Sequence, residues 1–183
     1  MSHQPQSESP TADGGPAARN PLTRFWPIGL VLLAMIALFW PRTDDVAPDG
    51  NLLDEMSQEV PLRPSQTRVT LVHLWATWCP PCIDEIPALQ RLQRDYGERE
   101  DMRIVFIAVD DSPEKVKPFL GSIGTPVLYD PSWKLAHRYG TRKLPETHLV
   151  VDGRVVETFE GAANWDDPAI RRLLDKALAG PSL

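Results

Sequence analysis

The only two cysteines of this 183-residue chain, Cys79 and Cys82, stand two residues apart at the point where one structural pattern gives way to another. Before them runs Val69 to Trp75, a continuous apolar stretch short enough for a strand buried on both faces. After them Ile83, Ile86, Leu89, Leu92 and Tyr96 recur every three or four residues, the stripe of a helix lying on a sheet, with Gly97 as its stop. A strand that feeds straight into an amphipathic helix points to an α/β domain. Two cysteines can build neither a larger disulfide framework nor a four-cysteine zinc site. Closing so small a loop removes only about 2 kcal/mol of unfolded-chain entropy, so the pair is a poor staple and a redox role is favoured.

The pattern continues in the same alternating way. Arg103 to Val109 is a second apolar strand, and Ser112-Pro113, Asp130-Pro131 and Asp167-Pro168 each set a capping side chain before a proline, which marks three further helix starts. Thr147 to Val151 and Arg154 to Phe159 flank the turn pair Asp152-Gly153 as a hairpin, and Pro168 to Ala179 closes the chain as a helix. The expected architecture is a three-layer α/β sandwich with a mixed sheet. A net charge of −6, with no basic run longer than a pair, argues against a nucleic-acid surface.

The N-terminal third reads differently. Residues 1–24, rich in Ser, Pro, Gly, Gln and Ala, have the composition of a disordered tail. Residues 25–41 are uncharged, with Trp26 and Trp40 near the two ends, and read as a transmembrane anchor at the lower limit of length. A cleaved signal peptide is the competing reading. The sequence after the apolar stretch, Pro41-Arg42-Thr43-Asp44-Asp45, lacks the small residues of a cleavage site and favours the anchor. Arg19 and Arg24 precede the span and only Arg42 follows closely, which orients the tail to the cytoplasm and the remainder to the far side of the membrane. Residues 42–66 read as a linker with a short helix around Leu52 to Met56, and residues 67–183 as the folded domain.

The chemistry centres on Trp78-Cys79-Pro80-Pro81-Cys82. Cys79 falls at the N-cap and Pro80 at the first helical position, so the positive end of the helix favours a thiolate at Cys79. Cys82 lies one turn inside. The expected order is attack by Cys79 on a partner disulfide, then resolution of the mixed disulfide by Cys82. Haem attachment would need a histidine directly after Cys82, where Ile83 stands, and zinc would need two more ligands. No metal is assigned to the pair, nor to His137 or His148.

The segment LVHLWATWCPPCIDEIPALQRL resembles the active-site region of membrane-anchored thioredoxin-like oxidoreductases of the TlpA/ResA/DsbE type. The likeness runs from about residue 66 to 179, includes Pro87 as the kink proline of the helix, and resumes at Leu144-Pro145-Glu146-Thr147, which resembles the cis-proline loop. It implies that Pro145 lies beside the sulfurs and excludes metal, that the backbone before it pairs with an extended client, and that Leu144, Pro145 and Glu146 bind substrate. Trp78, Pro80 and Pro81 would support the cysteines. The stretch from Asp111 to Pro131 resembles the helix and strand inserted in this subgroup.

Two carboxylate and imidazole positions carry open alternatives. Glu85 matches an acidic residue thought to influence proton transfer, and it also reads as a solvated carboxylate complementing the helix dipole. His73 departs from the buried Asp or Asn usual at its position; proton acceptance during resolution competes with a hydrogen-bonded core histidine, which is favoured. The resemblance implies a periplasmic protein-disulfide reductase with no cofactor beyond the cysteine pair. Its clients would be apocytochrome c or copper-chaperone thiols, and its electrons would come from a membrane thiol donor. A disulfide-forming oxidase and a copper metallochaperone are the alternatives.

Overall fold

The computed structural model describes residues 46–124 and 126–180. The expected tail and anchor lie outside them, and no helix among the described residues is long and apolar enough to cross a membrane. Among the described residues seven strands and four helices follow one another as β1 (Gly50–Leu53), β2 (Glu59–Leu62), a 3-10 turn (Pro64–Gln66), β3 (Val69–Trp75), α1 (Pro80–Tyr96), β4 (Met102–Val109), α2 (Pro113–Ile123), β5 (Val127–Asp130), α3 (Lys134–Arg138), β6 (Glu146–Val151), β7 (Arg154–Glu160) and α4 (Pro168–Ala179). The sheet order is β2-β1-β5-β4-β3-β6-β7. β3, β4 and β5 are parallel, while β6 runs antiparallel to β3 and pairs with β7.

β3 is buried at all seven positions, because both faces of the sheet are covered. Val69, Leu71 and Trp75 turn toward Leu89 and Leu92 of α1 and Leu174 of α4, with Val116 of α2 in the same cluster. Val72 and Leu74 face the other way, toward Leu135 of α3 and toward Leu52 and Leu62 of the first hairpin. The alternation along one strand thus divides the core into two layers. α2 and β5 occupy the stretch from Asp111 to Pro131, as the resemblance implied.

Three local expectations are corrected. Residues 50–66 are part of the folded domain and not a linker: β1 and β2 form an antiparallel hairpin that joins the sheet through Leu53 and Tyr129. Around Leu52 the chain is a strand and then a turn closed by Asp54, whose Oδ1 accepts from Met56 N and Gln58 N, so the short helix is absent. A hairpin of only four residues per strand leaves almost no period to read, and its two buried leucines supply the burial that a linker would lack.

The helix expected at Asp130-Pro131 begins instead at Lys134, after Trp133 in the left-handed region. Asp130 still caps it from a distance: its carboxylate accepts from Lys134 N, Leu135 N and Ala136 N at 2.8–2.9 Å. The Asp167 cap is met in place, with Oδ1 accepting from Ala169 N at 2.7 Å. Gly97 ends α1 in the right-handed region, and its glycine is needed for space, since a Cβ would lie 2.3 Å from the Gln93 carbonyl oxygen. Asp152 and Gly153, both at positive φ, close the β6–β7 hairpin.

Candidate active site

β3 delivers the chain through Ala76 to Cys79, which caps α1 in extended conformation without a side-chain hydrogen bond of its own. Pro80 and Pro81 occupy the first turn, where a missing N–H costs nothing. The Cys79 carbonyl accepts from Cys82 N and Ile83 N, and Cys79 N donates to Ala76 O. Cys79 and Cys82 are joined in a disulfide. Cys79 keeps 5% of its surface exposed and Cys82 none, so of the two cysteines only Cys79 reaches the surface. Trp78 stands beside it half-exposed, its Nε1 donating to Asp110 O. Asp111 anchors the other flank by accepting from Thr77 N at 2.7 Å.

The Leu144-Pro145 bond is cis. Glu146, immediately after it, pairs with Leu74 near the C-terminal end of β3, so the cis turn and the disulfide meet at the same end of that strand. Pro145 is buried and its carbonyl accepts from Gly161 N. No hydrogen bond within the described residues uses the backbone N–H or C=O of Leu144.

Glu85 does not lie solvated on the first turns of α1. It is buried, and its Oε1 accepts from Ala163 N at 2.8 Å and Trp165 Nε1 at 2.6 Å. Burial pushes its carboxyl above the ordinary value, and the two hydrogen bonds pull the other way. Oε2 is buried without a partner among the described residues. Both donors come from a loop some eighty residues further on, so nothing in the helical pattern around Glu85 pointed to them.

His73 is fully buried on the α1 side of β3, with Nδ1 at 2.8 Å from Thr147 Oγ1 and its ring edge-on to Phe106. Nε2 has no partner among the described residues. Desolvation lowers its pKa to about 3, which keeps the ring neutral at physiological pH and supports the core reading.

Glu146 and His148 form a cluster that the sequence reading passed over. Buried on β6, His148 has its Nε2 3.0 Å from Glu146 Oε1 and within hydrogen-bond distance of Thr141 Oγ1 at 3.2 Å. Its Nδ1 lies 3.1 Å from Thr158 Oγ1, and its ring stacks on Tyr139 at 4.6 Å. The i, i+2 spacing of Glu146 and His148 on one strand face was the available signal. No group of three or more His, Cys, Asp or Glu side chains suited to a metal occurs among the described residues.

A thioredoxin-like sandwich carrying a Cys-X-X-Cys disulfide at a helix N-terminus opposite a cis-proline turn defines a thiol–disulfide exchange protein. Residues 42–174 match the Redoxin family. The thiol-disulfide oxidoreductase ResA of Bacillus anthracis is 30% identical over 118 residues, covering 63% of this chain and 68% of that protein. The thiol:disulfide interchange protein HelX of Rhodobacter capsulatus is 32% identical over 136 residues, covering 70% and 73%. A crystal structure of a thiol:disulfide interchange protein DsbE from Chlorobium tepidum superposes with a TM-score of 0.64 at 25% identity, over 74% of this chain and 96% of that one. The chain belongs to the Redoxin family, among its thiol-disulfide oxidoreductases of the TlpA/ResA/DsbE type.

Proposed function

We propose that this oxidoreductase is a protein-disulfide reductase held at the cell membrane by residues 25–41, with its thioredoxin-like domain on the periplasmic side. Reduced Cys79 attacks a client disulfide, the client's leaving thiolate takes up a proton, and Cys82 then displaces the client from the mixed disulfide. Each cycle leaves Cys79–Cys82 oxidised and the client reduced by two electrons. A membrane thiol donor restores the dithiol.

The observation that carries the reading is the difference in exposure between the two cysteines beside a turn whose Leu144 backbone groups make no hydrogen bond among the described residues. An extended client segment can pair with that backbone while its disulfide faces Cys79. The Pro145-Glu146-Thr147 sequence resembles that of the cytochrome c maturation members, which favours apocytochrome c thiols as clients, with copper-chaperone thiols next.

The deciding experiment is the reduction potential of the Cys79–Cys82 couple in the full chain, equilibrated against glutathione. A value at or below about −200 mV supports the reductase, whereas one near about −120 mV reverses the direction of electron flow and makes disulfide formation the function.

A further inference from the structure

The turn ahead of β6 carries consecutive residues, Arg142, Lys143 and Leu144, whose backbone groups make no hydrogen bond among the described residues. Beside it opens a cleft of about 630 Å³ lined by Gly140, Arg142, Lys143, Glu146 and Glu160. A client segment that pairs with the Leu144 backbone therefore lays its side chains next to this cleft, and the charges there decide which side chains are welcome.

Most of those charges are already matched within the fold. Lys143 Nζ and Glu160 Oε2 form an ion pair at 3.0 Å. Glu146 is buried, and its Oε1 accepts from Thr141 Oγ1; the charges that act on its carboxyl are those of Glu160 and Lys143. Arg142 is exposed and makes no hydrogen bond or ion pair among the described residues. Its guanidinium is a planar fork of five donors, a shape that matches a carboxylate. On the other flank of the disulfide, Asp110, whose carbonyl accepts from the Trp78 indole, is exposed and adds negative charge. The whole chain carries a net charge of −6. A client carboxylate is thus repelled by the molecule at large and attracted at Arg142, two residues ahead of the backbone offered to the client.

We propose that Arg142 is a specificity-determining residue of the client-docking turn: it pairs with an Asp or Glu side chain near the client's cysteine, so that the protein prefers disulfides flanked by acidic residues. This rests on the reading of the cis-proline turn as the client-docking site.

The test uses the full-length chain, reduced beforehand, and short peptides whose single cysteine is in mixed disulfide with 2-thiopyridine. One peptide has Glu two residues before the cysteine, one has it two residues after, and one has Gln at both places. Cys79 attacks the peptide sulfur and expels pyridine-2-thione, which is followed by its absorbance. Cys82 then closes the Cys79–Cys82 disulfide and releases the peptide thiol, so the two electrons lost by the protein are those gained by the peptide disulfide.

At low salt at least one acidic peptide should react about threefold faster than the Gln peptide, the size of a single exposed ion pair, and the gain should vanish at about 1 M salt. Arg142→Gln should remove the gain and Arg142→Glu should turn it into a loss. Lys117→Gln, the same change in net charge placed on α2, should leave the gain in place. Arg142 belongs to neither core layer, so its variants should melt with the wild type. Equal rates for all peptides, a gain that survives Arg142→Gln, or one that is lost as fully in Lys117→Gln overturns the proposal. These results leave the reductase reading standing, whereas failure of the wild type to release pyridine-2-thione from any peptide removes that reading and the proposal with it.

Discussion

Trp165 Nε1 donates to Glu85 Oε1 at 2.6 Å, which ties the helix that starts at the disulfide to the loop ahead of α4. Glu85 lies three residues after Cys82, on the same side of α1. Its carboxyl is thus a structural fastening of the active-site helix, and the titration of that carboxyl is coupled to folding.

Because burial raises the Glu85 pKa, the folded state holds this proton more tightly than the unfolded chain does. The stability it contributes is fully present below the unfolded value near 4.5 and is lost as pH rises through the folded value. Glu85→Gln keeps an acceptor for Trp165 and Ala163 and abolishes the titration. Thermal unfolding should therefore move in favour of the Gln variant as pH goes from about 4 to about 8. A melting-temperature difference that is the same at both ends would contradict the coupling.

For His73 the sign is opposite. A folded pKa of about 3 against 6.5 means the folded state binds fewer protons, so stability is full above 6.5 and declines as pH falls toward 3. His73→Asn should flatten this acid limb in urea unfolding and, by opening space beside Phe106, cost about 1–3 kcal/mol at neutral pH. The pH profile of mixed-disulfide resolution between about pH 6 and 8 should not change, because the ring is neutral throughout. A displaced profile would restore the proton-acceptor role.

The exposure of Cys79 and burial of Cys82 set an order of attack. Cys82→Ser should accumulate mixed disulfides with client proteins on non-reducing gels, and Cys79→Ser should accumulate none. Equal trapping by the two variants would remove the distinction between attacking and resolving thiols.

Leu52 and Leu62 are 2% and 0% exposed, so the first hairpin contributes core. Burial of each side chain is worth roughly 1.5–3 kcal/mol. Leu52→Ala should lower unfolding free energy by about 3 kcal/mol. A fragment starting at residue 67 should fail to unfold cooperatively, while one starting at residue 43 should melt in a single transition by circular dichroism. Cooperative folding of the shorter fragment would return the hairpin to the linker.

How much was legible follows the range of each interaction. β3 lies from Val69 to Trp75 as read, because an unbroken apolar run can be satisfied only by cover on both faces. Cys79 caps α1 ahead of Pro80, because N-cap geometry and the proline requirement are both decided within a few residues. The Asp130 cap shows the limit of that rule: the carboxylate reaches the expected helix, but three residues of turn intervene, and Trp133 must first enter the left-handed region.

Where the partners are distant in the chain, the sequence left alternatives open or pointed elsewhere. Glu85 is bound by Ala163 and Trp165, His73 by Thr147, and the first hairpin is held by β5 and α3. By itself the sequence determined the α/β class, the cysteine pair and the helix it opens, since periodicity and local backbone preference act over a few residues, while the proline loop was legible only through the family resemblance. Only the tertiary structure decided which titratable groups are dry and what they face, because desolvation and buried hydrogen bonds are properties of neighbours brought together by folding.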